Sequence, residues 1–95
     1  MDSYVYFMTN IHNTVLYIGV TSNLEKRISE HKSGINKNSF TYRYNCNKLV
    51  YYEIYRDIKS AIEREKELKK WRRAWKNELV AKENPDWLDL GDCGS

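Results

Sequence analysis

Two six-residue runs of β-branched and aromatic side chains, Tyr4–Thr9 and Val15–Val20, are separated by only five residues, Asn10–Thr14, rich in turn formers. That spacing leaves the runs little choice but to pair as an antiparallel β-hairpin. Period two puts Tyr4, Tyr6 and Met8 on one face, and Tyr17 and Gly19 together on a face of the second strand. A glycine inside a strand marks a bulge or a close backbone approach.

Helical signals follow the hairpin. Ser22 and Glu25 have the spacing of a capping box, and the segment to about Ser33 suits a helix with Leu24 and Ile28 as its apolar positions. Residues 33–47 carry no period and read as a polar, partly ordered loop. Leu49–Tyr55 reads as a third strand. From about Asp57 a long helix aligns Ile58, Ala61, Ile62, Leu68 and Lys69, with Glu65 near the centre of that line and Glu63 and Glu67 facing solvent. A break near Trp71 starts a further helix through Trp75 and Leu79. Pro85 ends regular structure, Asp86–Leu88 reads as a docked tail, and the chain should fray from Gly91 onward. The expected fold is α+β: a three-stranded antiparallel sheet flanked by helices in the order β-β-α-β-α-α.

With 95 residues, one domain is expected over 1–82, followed by an acidic tail over 83–95. No stretch approaches the roughly 20 apolar residues of a membrane-spanning helix. Aromatic residues make up 14% of the chain, too many for a disordered one. Residues 1–76 carry net +7 and the last 19 carry −4, a basic body that suits a polyanionic partner. Cys46 and Cys93 are isolated, Met1-Asp2-Ser3-Tyr4 lacks the basic and apolar regions of a signal peptide, and a reducing cytoplasm is the expected setting. His12 sits in the turn and should meet solvent.

Three polar residues stand where the helical period asks for apolar ones. Arg27 and His31 share the face of Leu24 and Ile28, and Glu65 lies on the inward line of the long helix. Burying an unpaired charge costs several kcal/mol even after relaxation, at about 3–5 kcal/mol for a broken pair. Either Arg27 and Glu65 form a buried ion pair beside His31, or an inward cleft gathers a carboxylate, a guanidinium, an imidazole and phenols. The second arrangement contains what phosphodiester hydrolysis needs: a metal ligand, a charge stabiliser and a proton acceptor.

At these residues the sequence resembles the GIY-YIG nuclease superfamily. Tyr4-Val5-Tyr6 is similar to the first signature element, with tyrosine where the family often has glycine, and Tyr17-Ile18-Gly19 matches the second element unchanged. Arg27 falls ten residues after Tyr17, His31 one turn later, and Ala61 with Glu65 resembles the metal-binding glutamate segment. Asn77 matches a spacing at which several members place an asparagine. Lys69–Lys76 and Asn84–Trp87 look like the ends of small single-domain bacterial members. The resemblance covers about residues 3–82. Val20 is a departure, since members such as the excision-repair nuclease carry lysine there.

The resemblance implies a DNA endonuclease, structure-directed or weakly specific, in DNA repair or processing. Its catalytic residues would be Tyr6, Tyr17, Arg27, His31, Glu65 and Asn77. Glu65 would hold Mg²⁺ or Mn²⁺, Arg27 would grip the scissile phosphate, and Tyr17, Tyr6 or His31 would take the water's proton, with Tyr17 favoured. Lys37, Arg43, Lys69, Lys70, Arg72, Arg73 and Lys76 are the expected phosphate contacts, and Tyr42 or Tyr44 could stack on an unpaired base. Trp71 and Trp75, four residues apart, are expected mainly in the core. The expected partner is DNA, with no membrane and no small-molecule cofactor, the chain acting as a monomer or with a protein that supplies targeting. Two competing readings are a non-catalytic nucleic-acid-binding module of the same fold and a small interaction protein with a structural ion pair.

Overall fold

In the computed structural model, which describes residues 2–33 and 40–91, three strands form an antiparallel sheet. They are β1 (Ser3–Thr9), β2 (Leu16–Thr21) and β3 (Lys48–Tyr55), in the spatial order β2-β1-β3. Helix α1 (Leu24–Ser33) and the short α2 (Phe40–Arg43) lie between β2 and β3, and α3 (Ile58–Lys69) and α4 (Arg73–Glu83) follow. Strand β1 is the central one and is buried almost throughout. This explains its unbroken apolar and aromatic run, since both of its faces are covered.

The two faces feed separate cores. Val5, Phe7, Ile18, Val50 and Tyr51 pack with Ala61, Leu68 and Val80 of α3 and α4. On the other face Tyr6 and Met8 pack with Ile28 of α1, Cys46 and Leu49. The expected division of β1 into alternate faces therefore holds. The register slips between Phe7 and Met8, which pair with Tyr51 and Leu49, leaving Val50 as the extra residue of a bulge.

The C-terminal segment uses that bulge. Buried Asn84 donates through Nδ2 to the Val50 and Leu88 carbonyls, at 3.0 and 2.9 Å, and accepts from the Leu88 N–H. The Leu90 N–H donates to the Leu49 carbonyl, while Asp89 accepts from the Leu49 N–H and pairs with Lys32. Part of the β3 edge is thereby covered.

Four expectations need correction. The cap of α1 is Asn23, whose Oδ1 accepts from the Lys26 N–H at 3.1 Å, and not Ser22. The segment expected as a loop contains helix α2, ended by Asn45 with φ of 57°, a conformation asparagine tolerates. Ile58 is exposed, because it opens α3 one turn before Ala61, where burial begins. Lys69, on the same expected line, also faces solvent. The break at Trp71 is real: the Trp71 N–H reaches only the Leu68 carbonyl, and Arg72 turns extended to start α4. Fraying beyond Gly91, and Cys93 with it, falls outside the described residues.

Candidate active site

Gly19 stands directly opposite Tyr6 in the β1–β2 register. A Cβ at position 19 would lie 2.5 Å from the Tyr6 hydroxyl oxygen and 2.9 Å from the Tyr17 ring, so the phenol of Tyr6 lies across the space a side chain would need. The glycine does mark a close approach, but of a side chain and not of the backbone that was expected. The folded-over Tyr6 ring, 1% exposed, has its centroid 6.1 Å from that of Tyr17 and 5.8 Å from that of His31. The Tyr17 and His31 centroids are also 5.8 Å apart, closing a triangle. The Tyr6 hydroxyl is 3.1 Å from His31 Nε2, and Tyr17 is its other polar neighbour.

Burial, then the Tyr17 hydroxyl, push the Tyr6 phenol far above its usual pKa, so Tyr6 keeps its proton at neutral pH. Burial and then Arg27 lower His31, leaving a neutral imidazole with one N–H and one acceptor nitrogen. A protonated phenol between two such neighbours donates to one and accepts from the other. Tyr17, Tyr6 and His31 therefore form a continuous path along which a proton can be handed on.

The charged residues flank this path. Arg27, one turn before His31, acts electrostatically on both Tyr6 and His31. It is not an inward residue: its side chain is 46% exposed, and its closest acid is Glu30 of the same helix at 4.0 Å. The reason is that α1 rests on Ile28, so that Arg27, a step of 100° away, projects from the flank. Glu65 is 15% exposed and lies within the electrostatic reach of Tyr6, with Lys69 Nζ at 3.5 Å. The ion pairs of Arg27 and Glu65 are thus made with Glu30 and Lys69, and the buried Arg27–Glu65 pair considered from sequence is not formed.

No group of three His, Cys, Asp or Glu side chains that could cage a metal occurs among the described residues. The donor set fits a hard cation of another kind. Mg²⁺ is commonly held by one or two carboxylates together with water and substrate phosphate, and Glu65, with only a long contact to a surface lysine, is free to serve in that way.

The remaining predicted residues are dispersed. Asn77 accepts through Oδ1 from Arg73 Nε at 2.9 Å. The same guanidinium donates to the Asn13 and Thr14 carbonyls, at 2.8 and 3.2 Å, and so ties α4 to the hairpin turn. Arg73 is accordingly not a free phosphate contact. Lys69, Lys70 and Arg72 are exposed, and Lys76 is half-buried, its pKa lowered by burial and then by Arg73 and Lys69. Tyr42, Arg43 and Tyr44 form an exposed patch with the Arg43 guanidinium 6.0 Å from the Tyr44 ring centre. Lys37 lies outside the described residues. Trp71 joins the core, as expected, but Trp75 is 48% exposed. His12 faces solvent.

Sequence reasoning missed a second polar cluster. The Glu53 carboxylate accepts from the Tyr51 hydroxyl at 2.6 Å, the Tyr55 hydroxyl at 2.7 Å, and Arg64 Nε and Nη2 at 3.0 and 3.2 Å. Burial pushes the Glu53 carboxyl up, but these hydrogen bonds outweigh it and the net shift is downward. The Tyr55 phenol, by burial and then by Glu53, is pushed up to about 12. The signal was present: Tyr51, Glu53 and Tyr55 alternate along β3 and so share one face.

Residues 2–78 match the sequence profile of the GIY-YIG catalytic domain. A UPF0213 protein of Syntrophus aciditrophicus (strain SB) is 38% identical over 84 residues, covering 88% of this chain and 94% of its own length. Another UPF0213 protein, from Natronomonas pharaonis, is 38% identical over 82 residues, covering 86% of this chain and 94% of its own. The solution NMR structure of a UPF0213 protein from Bacillus halodurans superposes with a TM-score of 0.59 at 24% identity, over 100% of this chain and 99% of that one, a likeness of fold.

Proposed function

The chain belongs to the GIY-YIG catalytic domain family, a family of nucleases, and we propose that it is a metal-dependent endonuclease that hydrolyses phosphodiester bonds of DNA. What supports this reading is the gathering of Tyr6, Tyr17 and His31 around one buried phenol, with Arg27 and Glu65 within its electrostatic reach and paired with other partners instead of each other.

In this reading the exposed Arg27 fork holds the scissile phosphate and stabilises charge as it builds in the transition state. Glu65 would hold Mg²⁺ or Mn²⁺, and the bound ion would supply Lewis-acid stabilisation of the leaving oxygen. Tyr17 takes the proton of the attacking water, and Tyr6 passes it toward the neutral imidazole of His31. Tyr6 itself is no base, since burial holds its proton in place. Asn77, bound to Arg73 through its oxygen, offers the nitrogen of its amide to the substrate. The protein acts as a monomer on branched or weakly specified DNA in repair or processing in the cytoplasm; Tyr42, Arg43, Lys69, Lys70, Arg72 and Lys76 line its path, with Lys37 as an added contact. No described helix is long and apolar enough to cross a membrane.

The test is incubation with supercoiled, branched and single-stranded DNA in Mg²⁺, Mn²⁺ or EDTA. Metal-dependent nicking is expected. Binding without nicking on every substrate would instead identify a non-catalytic nucleic-acid-binding module.

A further inference from the structure

The elbow between α3 and α4 carries an aromatic notch that the reaction described above does not use. The Trp71 and Trp75 ring centroids are 6.1 Å apart at an interplanar angle of 84°. Trp71 is anchored against the core, with the Arg64 guanidinium 5.2 Å from its ring centre. Trp75 stands half out in solvent under the Arg72 guanidinium, 5.0 Å from its ring centre. A space of about 420 Å³ beside the two indoles is bounded by Leu79, with Glu78 and Lys82 at its rim.

The surrounding charge selects the occupant. Residues 69–76 contain five cations and no acid. Lys69 is paired with Glu65, and Arg73 is held by the hairpin turn. Lys70, Arg72 and Lys76 form no salt bridge among the described residues, and Lys76 is crowded by the positive charges of Arg73 and Lys69. A basic peptide would be repelled here, and an apolar one would leave the cations uncompensated. Paired duplex keeps its base faces stacked and cannot present one to an indole. An unpaired nucleotide offers both a flat face and a phosphate.

We infer that the Trp71–Trp75 notch stacks an unpaired DNA base, whose neighbouring phosphates lie along Lys70, Arg72 and Lys76. This deepens the endonuclease reading and rests on it. Trp71 follows Glu65 by six residues, just past the end of α3 at Lys69, so the notch lies beyond the proposed metal ligand along the chain. The substrate is therefore DNA that presents single-stranded nucleotides near the bond that is cut. On entry the base takes the place of the Arg72 guanidinium over Trp75, which frees that fork for a phosphate.

Titrations in EDTA, where nothing is cut, test the inference. The probes are a duplex with a short single-stranded gap, the same duplex fully paired, and oligo-dT. Oligo-dT should quench the indole fluorescence of the parent protein. Trp75→Ala should weaken gapped-DNA and oligo-dT binding roughly tenfold or more while leaving paired-duplex binding unchanged, and Trp75→Phe should retain most of the affinity. Circular dichroism checks that the variants fold. Equal losses on all three DNAs, or no loss on any, would overturn the inference. If the base-dependent loss appears but nicking with metal does not, the notch stands and the endonuclease reading fails.

Discussion

Two clusters in this molecule are built from the same parts, tyrosines around a carboxylate and an arginine, and they are wired oppositely. Around Glu53 every element is joined: Arg64 grips the carboxylate with two nitrogens, and Tyr51 and Tyr55 complete its acceptor capacity. Around Tyr6 the opposite charges are kept from each other, Arg27 beside Glu30 at the surface and Glu65 beside Lys69. A saturated carboxylate has nothing left to offer a ligand, whereas Glu65 and Arg27 keep capacity for one. The first arrangement holds α3 to the sheet, and the second, in the proposed reading, serves a reacting phosphate.

Removing one charge from each cluster should separate these roles most widely. Arg27→Ala should lower the nicking rate by about 10²–10³-fold, in the range of a lost transition-state charge contact, with urea unfolding unchanged because the side chain is exposed and only loosely paired. Nicking that survives in the folded variant would erase the distinction. Glu53→Ala should do the reverse. It takes away two of the three carboxylate hydrogen bonds of Arg64 and the acceptor of two phenols, costing about 3 kcal/mol in urea unfolding, while the folded fraction nicks at the parental rate. A loss below about 0.5 kcal/mol would mean that the saturated cluster is not structural.

The smallest effect is in pH. Burial and Arg27 hold the His31 pKa below 6.5, so its acceptor nitrogen stays available at neutral pH and the acid limb of the nicking profile lies below 6.5. The unfolded chain takes up that proton first as pH falls. The contribution of His31 to stability is therefore complete above 6.5 and is lost as pH falls through the lowered folded value. An acid limb above 6.5 would remove His31 from the proton path.

Much of this was readable from the sequence because it follows short-range rules. The hairpin, the third strand and the helix break at Trp71 come from period, β-branching and turn residues within a few positions of each other. Gly19 announced a close approach, and only the fold shows that the approaching group is Tyr6. Arg27 was identified by spacing but assigned the wrong depth, since a helical wheel gives the angle of a side chain and not how far the helix stands from the sheet. Arg73 could not be read as a clamp at all, because its acceptors are the carbonyls of Asn13 and Thr14, some 60 residues earlier in the chain. Glu53 escaped for a related reason: its role depends on Arg64 arriving from the next helix.

The central claim is that Glu65 is kept unsaturated for chemistry on a phosphate. Glu65→Ala, measured for DNA binding in EDTA and for nicking in Mg²⁺ on the same preparation, tests it directly. Binding and unfolding should stay close to those of the parent, with nicking reduced by at least about 10³-fold. A folded Glu65→Ala protein that binds and nicks as the parent does would contradict it.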